Sequence, residues 1–321
     1  VDPNSIVVEN GIDGPVVSGK IFDKAREIIR NRIGRSMVVG NEGAGLVIAA
    51  GESDEAQSLK GKTVGVFGGG MYSQYRCVNI NQCLALRDNT SAEQGASCFV
   101  NPMTALGMVE TMRMEGHSAL VHTAAASNLG KMLNRICTTD KIELVNIVRS
   151  DAQKKLLDER GSLYTIDSTS AQFRSELMSA LSVTRATLAF DAVGGGKLAE
   201  QILSCMEIAA QSTSAEYSPY GSSIHKQVYI YGGLDLSPTV LNRNFGLSWG
   251  IGGWLLMPFM MRAGKELVDA MKTRVANEIT TTFSSSYARK VSLEEALSLD
   301  AISLYSKRST GEKVLIQPNG T

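Results

Sequence analysis

Ala119-Leu120-Val121-His122-Thr123-Ala124-Ala125-Ala126-Ser127-Asn128-Leu129-Gly130 changes character twice within one short stretch. Ala119 to Thr123 is mostly apolar and reads as a strand buried on both faces. The chain then places small residues at Ala124, Ser127 and Gly130. From Leu129 to Cys137 the apolar positions fall at helical spacing. The reading is strand, tight turn, helix.

The same rhythm continues downstream. Glu143–Val148 precedes a helix over Ala152–Arg160, and Leu163–Ile166 precedes one over Ala171–Leu181. Thr187–Asp191 precedes a helix over Lys197–Ala210, and Gln227–Tyr231 closes the series. Strands alternating with helices predict βαβ units, hence an α/β fold with a doubly wound parallel sheet covered on both faces. Upstream the texture differs. Leu46–Gly51, Lys62–Phe67 and Gln74–Val78 read as short strands punctuated by Gly and Asn, predicting a small β-rich domain. A helical stretch from Ser91 to Met112, interrupted by Pro102, separates it from the parallel sheet. Residues 1–37 carry one amphipathic helix, Ile21–Ile33. Near the end, Ser292 and Glu295 have capping-box spacing before a short helix, and Lys313–Ile316 reads as a terminal strand. The predicted domains are residues 1–90, 91–245 and 246–321.

Composition excludes several function classes. The 321 residues carry 32 basic and 32 acidic side chains, which gives no general attraction to nucleic acid or to an anionic membrane. The apolar fraction of 43% and charged fraction of 20% are those of a globular enzyme. The five cysteines form no CxxC pair, and the three histidines share no metal-ligand spacing. A reducing, cytoplasmic setting is expected. The opening Val1-Asp2-Pro3-Asn4 has no signal-peptide pattern. The most apolar stretch, Phe245–Met261, is broken by four glycines and Pro258, so a buried or subunit-facing segment is expected, with a homodimer, and not a membrane span.

The first βα turn points to chemistry. A helix that starts on small residues directs its free N–H groups at a pyrophosphate, as dinucleotide-binding folds require. Ala and Ser replace two of the usual glycines. After the second strand comes Arg149 rather than a carboxylate, with Lys154 one turn on. A carboxylate would repel a 2′-phosphate, whereas these bases can donate to it, so NADPH is favoured over NADH. Val193, in the run Asp191–Gly196, and Tyr231-Gly232-Gly233-Leu234 follow later strands at the edge where ligands of such folds collect.

Taken together, these residues resemble the medium-chain dehydrogenase/reductase superfamily. The resemblance rests on Gly40-Asn41-Glu42-Gly43-Ala44-Gly45, Gly70–Tyr75, Asn101–Ala105, the Ala124–Gly130 turn, Phe190–Gly194 and Ser309–Val314, in that order. The branch it resembles is the zinc-free quinone oxidoreductase-like and enoyl reductase-like one. It implies a GroES-like β-rich domain beside a Rossmann domain. The superfamily's alcohol dehydrogenases carry Gly-His-Glu, with His on zinc; here the block reads Gly40-Asn41-Glu42, and Asn is a poor zinc ligand. No metal is therefore expected. The resemblance also implies NADPH, held by Thr104, Ala126, Ser127, Asn128, Leu129, Lys154, Val193, Tyr231, Gly232, Gly233 and Leu234; Arg149 joins them on its strand-end position alone. Catalysis is expected to involve Thr104 and Tyr72, with Tyr72 and Tyr75 as candidate proton donors or pocket walls. The partner would be a small apolar enone or quinone. The chain reaches Gly40 sooner than the family does, so the first domain is expected to be N-terminally short. Two readings stay open: an NADPH-dependent reductase, and a non-catalytic nucleotide-binding protein that keeps the fold.

Overall fold

The computed structural model describes residues 2–12, 14–212, 218–306 and 313–320. The chain divides into two compact units, one of Asn101–Met271 and one of Val1–Val100 with Lys272–Thr321.

In the first of these, six strands form one parallel sheet. Their spatial order is Trp249–Gly253, Lys226–Ile230, Leu188–Asp191, Ala119–Thr123, Glu143–Val148 and Tyr164–Asp167. By chain position that is sixth, fifth, fourth, first, second, third, the doubly wound Rossmann arrangement. Helices Asn128–Asp140, Asp151–Asp158, Phe173–Thr184 and Leu198–Ser212 intervene between strands. Val121, Val145, Ala189 and Val228 are fully buried, as strands covered on both faces must be. Ser127 and Ser150 cap the first two of these helices by accepting from Gly130 N and Gln153 N. Lys141 and Arg185 end helices in the left-handed conformation that closes the last turn.

One strand of this sheet was hidden in the sequence. Trp249–Gly253 lies within the apolar stretch Phe245–Met261 and pairs in parallel with Lys226–Ile230. Among the described residues no helix is long and apolar enough to cross a membrane.

The other unit contains a three-stranded antiparallel sheet, ordered Glu42–Leu46, Thr63–Phe67, Cys83–Ala85. A hairpin, Val7–Gly11 with Gly14–Ser18, and a parallel pair, Arg289–Val291 with Val314–Ile316, complete its strands among the described residues. Three expectations are corrected here. The strand placed over Leu46–Gly51 sits upstream, at Glu42–Leu46, because its partner turns away at Gly61 (φ 78°) and the ladder stops there. Gln74–Val78 forms no strand; Cys83–Ala85 takes the place beside Thr63–Phe67. The helix over Ile21–Ile33 is reduced to Asp23–Ile28 and a 3-10 turn, Arg30–Arg32. The Ser292/Glu295 capping box is formed, Glu295 N donating to Ser292 Oγ and Ser292 N to Glu295 Oε2.

Candidate functional site

The turn after the first strand is built for close approach. Ala124 adopts φ 52°, the left-handed region that costs a non-glycine residue about 1–2 kcal/mol. Its carbonyl accepts from Ser127 N at 3.0 Å, and Ala125 N donates to Ile147 O at 3.2 Å. These bonds tie the turn to the neighbouring strand. Gly130 has no alternative: a Cβ there would stand 2.1 Å from Ala125 O. The third small position therefore lets helix and strand pack, and it leaves the amino end of Asn128–Asp140 at the carboxyl edge of the sheet. Ala126 and Leu129 are buried in this arrangement.

At the end of the second strand Arg149 is exposed, and its backbone N–H donates to Gln153 Oε1 at 3.2 Å. Lys154 lies one turn on, within helix Asp151–Asp158, and its ammonium is 3.0 Å from Glu176 Oε2. Lys155 pairs with Asp151 instead. The two bases that the sequence nominated are thus on the same edge, one open to solvent and one shared with a carboxylate.

The ends of the first, fourth and fifth strands are linked by side chains. Asp191 is fully buried and accepts from Thr123 Oγ1 at 2.8 Å, Val193 N at 2.9 Å and Gly194 N at 3.1 Å. Thr123 Oγ1 in turn accepts from Ala192 N. This network fixes Val193 at the sheet edge. Beyond it, Gly194–Gly196 pairs in parallel with Asp235–Thr239. His122 Nε2 lies 2.7 Å from the Tyr231 hydroxyl, at the root of the Tyr231–Leu234 loop. In that loop Gly232 passes so near Ala192 that a Cβ would meet its carbonyl oxygen at 2.6 Å. Gly233 and Leu234 are exposed. Burial, then the Asp191 charge, push the Tyr231 phenol up, and burial pulls His122 down to about 3. Thr104 is buried in helix Val100–Met114.

In the other unit a cavity of about 1260 Å³ is lined by Tyr72, Tyr75, Glu42, Ser97, Tyr287 and Lys313, among others. Tyr72 is half exposed. At its back, Glu42 Oε2 accepts from Phe99 N at 3.1 Å and Val100 N at 2.8 Å. Burial pushes the Glu42 carboxyl up, against those two amides and the Lys313 charge. Burial pulls the Lys313 amine down, and Glu42 opposes it. Lys313 Nζ donates to Ser97 Oγ at 2.6 Å, which is 3.0 Å from the Tyr287 hydroxyl. Ser309–Glu312 of the last sequence block lie outside the described residues. Among the described residues no three His, Cys, Asp or Glu side chains converge as a metal site.

The structure thus gathers Ala126–Leu129, Arg149, Lys154, Val193 and Tyr231–Leu234 along one edge of the parallel sheet, and puts Tyr72 on the cavity of the other unit. Two features escaped the sequence reading. His122 was a histidine without metal spacing; its signal was a polar pair, His122-Thr123, closing an apolar strand. Glu42 and Lys313 carry charge into a half-buried place, and nothing local to either residue announces the other.

No family model and no curated protein matches the chain. Solved structures do. A protein of Mesorhizobium loti described as an NADPH:quinone reductase is 26% identical, with a TM-score of 0.70, over 87% of this chain and 77% of that one. The quinone oxidoreductase of Escherichia coli, solved with NADPH, is 16% identical with a TM-score of 0.64, over 98% of this chain and 99% of its own. A 2-haloacrylate reductase is 16% identical with a TM-score of 0.68, over 98% and 100%. At the two lower identities the likeness is one of fold. The chain has the fold of the medium-chain dehydrogenase/reductase superfamily and resembles the quinone oxidoreductase branch of it.

Proposed function

We propose that the chain is an NADPH-dependent oxidoreductase that delivers hydride to an electron-poor C=C bond of an enone or enoyl compound, or to a quinone, without zinc. The observation that carries the reading is the first βα turn. Left-handed Ala124, the Ser127 cap and the obligatory Gly130 leave a helix amino end at the sheet edge, which suits a pyrophosphate. Arg149 and Lys154 are the donors for a 2′-phosphate. When bound, the nicotinamide supplies the hydride. The chain's own residues orient it and exclude water: Thr104 and the Tyr231–Leu234 loop at the nicotinamide end, Val193 beside it. Tyr72, on the cavity of the other unit, donates the proton that balances hydride addition. Asn41, beside Glu42 in a backbone turn, offers no imidazole where the alcohol dehydrogenases place one, which supports a metal-independent reaction.

The reading includes a homodimer and a cytoplasmic setting. Trp249–Gly253 is an edge strand of the sheet, and Leu247, Leu255 and Met261 around it are exposed. Light scattering at the column outlet tests the dimer; a monomer mass would remove it. The function is tested by NADPH fluorescence titration followed by turnover of a panel of enones and quinones. Absence of binding at tens of micromolar overturns the reading. Binding with no turnover across the panel would make the chain a nucleotide-binding protein of this fold.

A further inference from the structure

His122 is fully buried as the next-to-last residue of the first strand, and its partner Tyr231 follows directly on the fifth. Strand Leu188–Asp191 runs between those two in the sheet, so the 2.7 Å bond from His122 Nε2 to the tyrosine hydroxyl bridges over a whole strand. The rings lie nearly parallel, centroids 5.8 Å apart at 20°. His122 Nδ1 is buried and has no hydrogen-bond partner among the described residues. Burial keeps the ring neutral, so a single proton is shared out between the two nitrogens. Stranding an N–H away from water is rarer in proteins than stranding an acceptor, which favours the proton on Nε2. Nε2–H then donates to Tyr231 Oη, and the tyrosine keeps its own proton for another acceptor.

The neighbouring residue works on the adjacent strand. Thr123 holds Asp191, and Asp191 holds Val193 and Gly194. Two consecutive residues of the first strand thereby anchor two separate loops at the carboxyl edge, Ala192–Gly194 and Tyr231–Leu234. The second of these has no other side-chain tie of this kind among the described residues, because Gly232 and Gly233 carry no side chain and Leu234 is exposed.

We infer that His122 is a positioning residue for the nicotinamide half of the site: through its bond to Tyr231 it fixes the Tyr231–Leu234 loop that the bound ring would lie against. The inference rests on the nucleotide reading proposed above. It assigns a specific division of labour, since the adenosine half is held at Arg149 and Lys154, on the other side of the first strand.

The division supplies the test. Calorimetric binding of NADPH is compared with that of 2′,5′-ADP, which has the 2′-phosphate and lacks the nicotinamide, for the wild type, Tyr231→Phe, His122→Leu and His122→Gln. Tyr231→Phe removes one oxygen and keeps the ring. It weakens NADPH binding about five-fold or more, the effect of one lost hydrogen bond, and leaves 2′,5′-ADP within about two-fold. His122→Leu does the same. His122→Gln, whose amide N–H can reach the phenol, retains NADPH affinity. The double variant His122→Leu/Tyr231→Phe loses no more than either single one, as residues acting through one bond must. Equal weakening of both ligands would mean general loosening and overturns the inference. So does an unchanged NADPH affinity in Tyr231→Phe, or a Gln variant as weak as Leu. A wild type that binds neither ligand overturns the nucleotide reading, and this inference with it.

Discussion

The ammonium of Lys154 lies 3.0 Å from a carboxylate oxygen of Glu176, so the base nominated for a 2′-phosphate already has an internal partner. Both side chains are about a third exposed (31% and 37%), so solvent screens the pair and its worth is small, roughly 0–1 kcal/mol. A phosphate dianion competes well against it. Lys154→Ala is expected to weaken NADPH about ten-fold while leaving NADH unchanged, and Glu176→Gln to tighten NADPH by a few-fold. Fluorescence titration with both nucleotides measures this. Equal losses for NADPH and NADH in Lys154→Ala would place the lysine elsewhere.

The two unusual positions of the first βα turn respond oppositely to one methyl group. Gly130→Ala drives a Cβ onto Ala125 O and should cost about 1–3 kcal/mol, in the range of an overpacked core. Ala124→Gly relieves a left-handed alanine worth about 1–2 kcal/mol, offset by the roughly 0.4–1 kcal/mol that glycine adds to unfolded-chain entropy. The net change is near zero or mildly stabilising. Urea denaturation of the two variants gives the comparison, and equal destabilisation would mean that the turn is built differently.

Stability should fall on acidification through the histidine range. Burial lowers His122 from 6.5 to about 3, so between these values the unfolded chain binds a proton that the folded chain refuses. The stabilisation is complete above the unfolded value and is lost as the pH falls toward the folded one. His117, lowered chiefly by burial, acts in the same sense. Glu42 acts in the opposite sense: its carboxyl is raised by burial, so its contribution is present at low pH and fades as the pH rises. His122→Gln removes one titrating site and should flatten the slope between about pH 4 and 6 by up to about 1.4 kcal/mol per pH unit. Urea melts over that range decide it; a slope identical to wild type would contradict the buried neutral ring.

Cysteine chemistry offers a separate check on the packing of both units. Burial pushes the Cys98 thiol up to about 12, with the Glu42 charge adding to it, and pushes Cys205 up to about 11. Cys77 is exposed. Since the thiolate is the reactive species, maleimide at about pH 8 should label Cys77 quickly and leave Cys98, Cys137 and Cys205 untouched until the chain unfolds. Peptide mapping reads the sites. Labelling of Cys98 at the rate of Cys77 would show that its packing is looser than described.

The parallel sheet was largely legible because its inner strands are continuous apolar runs, each followed by a helical period, and both signals are local. The sixth strand was not. Trp249–Gly253 contains three glycines and no β-branched run, and it is a strand because Lys226–Ile230 offers it a ladder. The converse error has the same root: Gln74–Val78 has suitable residues and no partner strand among the described residues. Within the candidate site, the positions of the turn and of the bases in the fold could be read from spacing. Glu176, 22 residues from Lys154, could not, nor could the bond between His122 and Tyr231 across 109 residues. Those pairings are created by the fold, and only the chemical oddity of a histidine closing a buried strand hinted at one of them.

The proposed function requires that the edge of the parallel sheet bind NADPH and use it. The most direct measurement is a fluorescence titration of the purified chain with NADPH and with NADH, continued into turnover of an enone and quinone panel. The expected result is saturable binding at tens of micromolar or below, NADPH preferred to NADH by about ten-fold, and oxidation of NADPH by at least one acceptor. Failure to bind either nucleotide would contradict it.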